Sequence, residues 1–197
     1  MRTEQTKLKS DMELTIHRFT VDEYHRLVET GVLHEDDNVE LIEGRIVDMV
    51  PIGSKHASCV NRIIQLFADK LQKRAIVSSQ NPVDLGKHSE PEPDIAILKW
   101  RNDFYRDKHP SPQDILLIIE VADASLEYDK FTKTPLYARA GIQELWLLNL
   151  LENTIEVYRS PSIDGYKTIT SLSSTETVSP LSFPDIVIKT GELLGMQ

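Results

Sequence analysis

The sequence predicts a mixed α/β fold, one central β-sheet with helices on both faces. Three observations carry this. Ile115-Leu116-Leu117-Ile118-Ile119 is an unbroken apolar run, the pattern of a strand covered on both sides. The coarse order along the chain is helix, strand, helix, three strands, helix and further strands. His56, Val60, Ile63, Phe67 and Leu71 recur at helical spacing, which gives one helix an apolar face to lay on a sheet.

The elements follow in order. Thr20-Val21-Asp22-Glu23 is a capping box that opens a helix ending near Gly31. Val39 to Met49, around Glu43-Gly44, reads as a strand or tight hairpin, broken by Pro51 and Gly53. Ser54 is placed to cap a long helix through about Lys73. Ile76 to Leu85 and Pro93 to Lys99 read as strands, and Trp100 to Gln113 as a polar loop. Ile115 to Val121 is the central strand. Tyr128 to Ala140 is a helix stopped at Gly141, with Pro135 in its first turns favouring a later start. Glu144 to Leu150 and Thr154 to Arg159 are strands. Asp164-Gly165 turns into a further strand, Tyr166 to Thr170. Pro184-Asp185 reads as a turn, and Ser171 to Gln197 as a closing strand and short cap.

Composition bounds the function. Met1 to Glu13 reads as a loose polar tail, and residues 14–197 as one domain with a sizeable core. No apolar stretch approaches the roughly 20 residues a bilayer requires. A single cysteine, Cys59, rules out an internal disulfide framework and a Cys-based zinc site, and cytoplasm is the expected compartment. The net charge of −9 argues against binding nucleic acid through a broad basic surface. Two cationic clusters exist, Lys70/Lys73/Arg74 and Arg101/Arg106/Lys108. The first also suits the end of a helix, where the dipole favours cations.

The chemistry concentrates in three places. Asp94, in Glu92-Pro93-Asp94, opens the strand Ile95–Leu98. Glu120 follows the central apolar run, and Lys133 lies on the next helix. Pro-Asp is also a common turn dipeptide, and Pro184-Asp185 shows that the pair alone proves little. Glu120 weighs more, because a carboxylate at a buried strand calls for a cation or another partner. Two acids on neighbouring strands with a lysine nearby are the pattern expected of a divalent-metal site for phosphodiester hydrolysis, the alternative being a buried structural ion pair. Mg²⁺ needs only one or two carboxylates, and a lysine stabilises developing charge. Asp129, Lys133 and Tyr137 share a helical face, which sets Lys133 rather than Lys130 toward the sheet. His56, at the start of its helix's apolar stripe, points the same way. Glu40 and Glu43 both lie in Val39–Met49, and either would lend a third carboxylate.

These pieces resemble the Uma-type family of "putative restriction endonucleases", within the PD-(D/E)xK nuclease superfamily. The matching series is Val39-Glu40-Leu41-Ile42-Glu43-Gly44, His56, Glu92-Pro93-Asp94, Ile119-Glu120-Val121-Ala122, and Tyr128-Asp129 through Lys133. It continues with Tyr137-Ala138-Arg139-Ala140-Gly141-Ile142 and Glu144-Leu145-Trp146. The resemblance covers about residues 15–190. It implies a restriction-endonuclease-like core and a Mg²⁺-dependent site acting on DNA, with Mn²⁺ as a substitute. It matches Asp94 and Glu120 to the metal-binding acids, Lys133 to the catalytic lysine, Glu40 to the early glutamate and His56 to the helix-start histidine. The backbone carbonyl of Val121 would also face the metal. One departure stands out: the usual motif puts lysine two residues after the second acid, where this chain has Ala122. The competing expectations are a catalytically degenerate nuclease fold that binds nucleic acid or protein, and a metal-dependent hydrolase of another substrate. Cleavage of both DNA strands would call for a homodimer, paired through strands near Glu144 to Thr170.

Overall fold

The computed structural model describes residues 15–34 and 36–196. The expected N-terminal tail, Met1 to Glu13, lies outside the described residues.

Helix α1 (Val21–Glu29) starts at the expected capping box, with Thr20 and Glu23 bonding each other's backbone N–H. Strands β1 (Val39–Ile42) and β2 (Arg45–Asp48) form a separate hairpin. Its two-residue turn needs positive φ at both central positions. Glu43 (49°) and Gly44 (74°) supply it. Gly44 is further required because a Cβ there would come within 2.7 Å of the Arg18 Cβ.

Helix α2 (Ser54–Leu71) begins one residue earlier than a Ser54 cap implies. Gly53 is the N-cap, and no side chain caps it. Strands β3 (Ala75–Ser79), β4 (Ile95–Lys99), β5 (Ile115–Ala122), β6 (Glu144–Asn149), β7 (Thr154–Ser162) and β8 (Gly165–Ser173) form one sheet in that order. All neighbours are antiparallel except β5 and β6. That parallel pair needs a crossover. It is made by α3 (Leu126–Tyr128), a π-helical turn (Asp129–Lys133) and α4 (Thr134–Arg139). β9 (Thr177–Val178), β10 (Ile188–Lys189) and α5 (Thr190–Leu194) close the chain, after a turn at Pro184-Asp185.

Two elements differ from expectation. The strand read as Ile76 to Leu85 ends at Ser79. Pro82 has no N–H for a ladder, and Gln80 takes a positive φ of 51° that turns the chain aside. Val83 is nonetheless buried, its N–H bonding the Pro91 carbonyl in a loop. The crossover helix starts earlier than Pro135 implied. Pro135 cannot donate to the preceding turn, and the helix absorbs it by widening, with the Thr134 N–H reaching back to the Asp129 carbonyl.

Alternating residues of β4 and β5 feed two cores. Ile95, Ile97, Leu117, Ile119 and Val121 pack with α2 and α5. Ala96, Leu98, Ile118 and Ala122 pack with Tyr137 and Ile142 on the opposite face. Asp94 and Glu120 are in phase with the second set. Among the described residues, no helix is long and apolar enough to cross a membrane.

Candidate active site

The last ladder pair between β4 and β5 at this end is Ile95 with Ile119. One step beyond it, Asp94 and Glu120 stand opposite each other, and their side chains replace the missing ladder bonds. The Asp94 N–H donates to Glu120 Oε2 (3.1 Å) and the Val121 N–H to Asp94 Oδ2 (2.8 Å). Each acid is therefore held by the other's strand, and the rigid sheet fixes their separation.

Glu120 is inside the strand rather than at its end, because β5 continues to Ala122 alongside β6. Its other oxygen accepts from the Tyr137 hydroxyl (2.7 Å) and faces Lys133 Nζ (3.4 Å). Lys133 also reaches Glu40 Oε2 (3.2 Å) and donates to the Glu92 carbonyl (3.2 Å). All three side chains are at most 7% exposed. The lysine thus arrives from the crossover helix at the second acid, although Ala122 occupies its usual sequence position. Asp129 and Lys133 are both buried on the π turn. Lys130 faces away, toward Glu156 on β7 (2.7 Å).

Glu40 is the glutamate of β1 that enters the site. It accepts from the Tyr128 hydroxyl (3.0 Å) and the Glu92 N–H (3.0 Å). Glu43 is on the hairpin turn, exposed and paired with Arg139. At the start of α2, His56 Nε2 meets Asp94 Oδ2 at 2.9 Å, while its buried Nδ1 has no partner. The structure thus brings together Asp94, Glu120, Lys133, Glu40 and His56. Sequence reasoning gave no role to Glu92, Tyr128 or Asp129 in this cluster. Tyr137 was legible as the neighbour of Lys133 one turn on. Tyr128 carried no signal, because its partner Glu40 is distant in sequence.

The group lines a cleft of about 820 Å³. Burial pushes the Glu120 carboxyl up to about 8, with Lys133 opposing the rise and Asp94 and Asp129 adding to it. Burial likewise pushes Asp129 up to about 6 and raises Glu92, which Glu40 also repels. Burial alone would lower Lys133, but Glu120, Glu40, Asp129 and Asp94 together raise it, so it stays charged. His56 is raised by its hydrogen bond to Asp94, against the effect of burial. Carboxylates outnumber cations here, and the destabilised acids would gain from an added cation.

Among the described residues, no three His, Cys, Asp or Glu side chains are gathered for a metal. The available donors are the carboxylates of Asp94 and Glu120 and the Val121 carbonyl, which leaves β5 on the same edge as the N–H bonded to Asp94. A small all-oxygen set suits a cation that keeps most of its water, as Mg²⁺ does. Neither cationic cluster of the sequence lines this cleft. Arg74 is paired with Asp185, Arg101 with Asp103 and Arg106 with Asp107.

A mixed six-stranded sheet flanked by helices, with two acids facing each other across adjacent strands and a lysine from the crossover helix, is the architecture expected of the restriction-endonuclease-like class. The comparisons agree. The family model Uma2, described as "Putative restriction endonuclease", matches residues 21–191, and the chain belongs to that family. A crystal structure of a "putative nuclease belonging to DUF820" from Anabaena variabilis ATCC 29413 shares the fold. It has a TM-score of 0.70 and 22% identity, over 90% of this chain and 98% of that one. No curated protein matches the chain.

Proposed function

We propose that this protein is a Mg²⁺-dependent endodeoxyribonuclease. The observation that carries the reading is the pairing of Asp94 and Glu120 through each other's strands, with the buried Lys133 at 3.4 Å from Glu120. Asp94, Glu120 and the Val121 carbonyl would hold the metal, with Mn²⁺ able to replace it. A metal held there would supply an activated water and a charge to offset that of the phosphate.

The chain's own groups do the rest. Lys133 supplies a fixed positive charge beside the phosphate, where charge grows as water adds to phosphorus and the leaving oxygen departs. Glu40 and the Glu92 carbonyl fix its ammonium in place. Tyr137 orients Glu120, and His56 orients Asp94. The ionised form of Glu120, costly in isolation, becomes favourable when a cation arrives, so binding releases a proton.

A homodimer accompanies this reading, since cutting both strands of DNA needs two sites. β8 offers the means: among the described strands it pairs only with β7, which makes it an edge of the sheet. The test is cleavage of plasmid and single-stranded DNA with Mg²⁺ or Mn²⁺ by the wild type and Asp94→Asn. Metal-dependent cleavage lost in the variant supports the proposal. A wild type that binds DNA and cuts nothing is the degenerate binding module.

A further inference from the structure

The cleft has an outer half that metal and phosphate chemistry does not use. Met49, Val50 and Ile52, on the loop from β2 to α2, line it together with Asn38 and Gln80. Val50 and Ile52 are each 55% exposed, and no core residue covers them. Asn38 and Gln80 are exposed carboxamides lining the same cleft, Asn38 beside the loop through its carbonyl, which accepts from the Met49 N–H (2.8 Å). Gln80 is held in a left-handed conformation (φ 51°), uncommon for a side chain of this size. It is fixed there by its N–H, which donates to the carbonyls of Pro93 and Asp94 (both 3.2 Å). The backbone that carries Asp94 therefore also sets where this amide begins. Strain of this kind at a cleft is a reason to look for a ligand contact.

The floor is recessed. The side chains of Asp94 and Glu120 are 15% and 3% exposed. A phosphate that reaches them brings its own sugar and base against the rim. Apolar side chains beside carboxamides match that base: a flat face to pack on and donor–acceptor edges to bond. In an intact duplex the base edges are open in the grooves but the faces are covered by stacking, so the apolar rim has no face to pack on.

Resting on the nuclease reading, we propose that the rim formed by Val50, Ile52, Asn38 and Gln80 is a nucleobase subsite. It receives an unstacked base next to the scissile phosphate. The strand being cut is then single-stranded or locally unpaired at the scissile phosphate, one strand to each site of a dimer, rather than part of a continuous B-form duplex.

The test compares binding in EDTA, where cleavage does not compete. The probes are a thymidine oligonucleotide, an abasic phosphodiester oligomer of equal length and charge, and a blunt duplex of equal length. Wild type should bind the thymidine oligonucleotide about tenfold tighter than the abasic oligomer, as expected for burying one base face on aliphatic side chains. It also prefers it to the duplex. The double variant Val50→Ser/Ile52→Ser binds thymidine and abasic chains alike. These positions are exposed, and circular dichroism and melting confirm an unchanged fold. Equal wild-type affinity for thymidine and abasic chains overturns the subsite, as does a preference that survives in the double variant. The nuclease reading fails separately. A wild type that cuts nothing with Mg²⁺ or Mn²⁺, yet keeps a base preference lost in the double variant, retains the subsite without the activity. A wild type that cuts duplex and single strand equally retains the activity and overturns the subsite.

Discussion

Replacing Glu120 with Gln isolates the cost of keeping a carboxylate in this core. The residue is 2% exposed, and burial lifts its carboxyl from 4.5 to about 8. At about 1.4 kcal/mol per pH unit, that interval amounts to roughly 5 kcal/mol against the ionised form. The sign follows directly. The unfolded chain releases this proton near 4.5 and the folded chain near 8, so this group's contribution to stability is fully present below 4.5 and is lost as pH rises to about 8. Gln has nearly the same shape and cannot ionise. Its carbonyl can accept from the Asp94 N–H, and its amide then faces Tyr137. Glu120→Gln should therefore match wild type near pH 5 and exceed it by several kcal/mol at pH 9. Urea titrations in EDTA across that range measure the gap. Adding Mg²⁺ at about a hundred times its dissociation constant should stabilise wild type by roughly 2.7 kcal/mol and the variant far less. A gap that stays constant from pH 5 to 9 refutes the reasoning, because burial would then not be holding Glu120 protonated.

Lys133→Ala should slow cleavage at least a hundredfold, roughly 2.7 kcal/mol of barrier, as read by single-turnover kinetics on the folded fraction. Lys130→Ala should cost little, since its half-exposed pair with Glu156 is worth about 1 kcal/mol or less. A large loss at Lys130 alone would place the catalytic lysine on the other face. Gly44→Ala should destabilise by about 1–3 kcal/mol in urea unfolding, from its positive φ and the Arg18 contact at 2.7 Å. Sedimentation velocity should find a dimer, and a monomer at micromolar concentration would remove β8 from the account.

Local signals in the sequence were enough where the local physics was decisive. Thr20 and Glu23 cap α1 as their spacing indicates. The apolar run at Ile115–Ile119 is the doubly covered strand it resembles, because its residues feed the cores on both faces of the sheet. What escaped depended on distant partners. Val83 and Leu85 look like strand residues, yet Pro82 denies them a ladder and they pack from a loop instead. The π turn at Asp129–Lys133 balances Pro135 against packing of the crossover on the sheet, and periodicity alone reads it as ordinary helix. Residue pattern alone does not separate Glu40 from Glu43; the family resemblance favours Glu40, and the hairpin's register sets Glu40 inward and Glu43 on the turn. Glu92 enters largely through its backbone, by a carbonyl and an N–H that no side-chain motif reveals.

The central claim is that Asp94 and Glu120 form a metal site that hydrolyses phosphodiesters. Asp94→Asn tests it most directly, because the substitution keeps the side chain's size while removing its charge. Wild type and variant are compared on supercoiled plasmid and on single-stranded DNA, with Mg²⁺, Mn²⁺ or EDTA, after circular dichroism shows that both are folded. The account predicts metal-dependent cleavage by wild type, none in EDTA, and loss of cleavage in Asp94→Asn. A variant that cuts at the wild-type rate, or a folded wild type that cuts neither substrate with either metal, would contradict it.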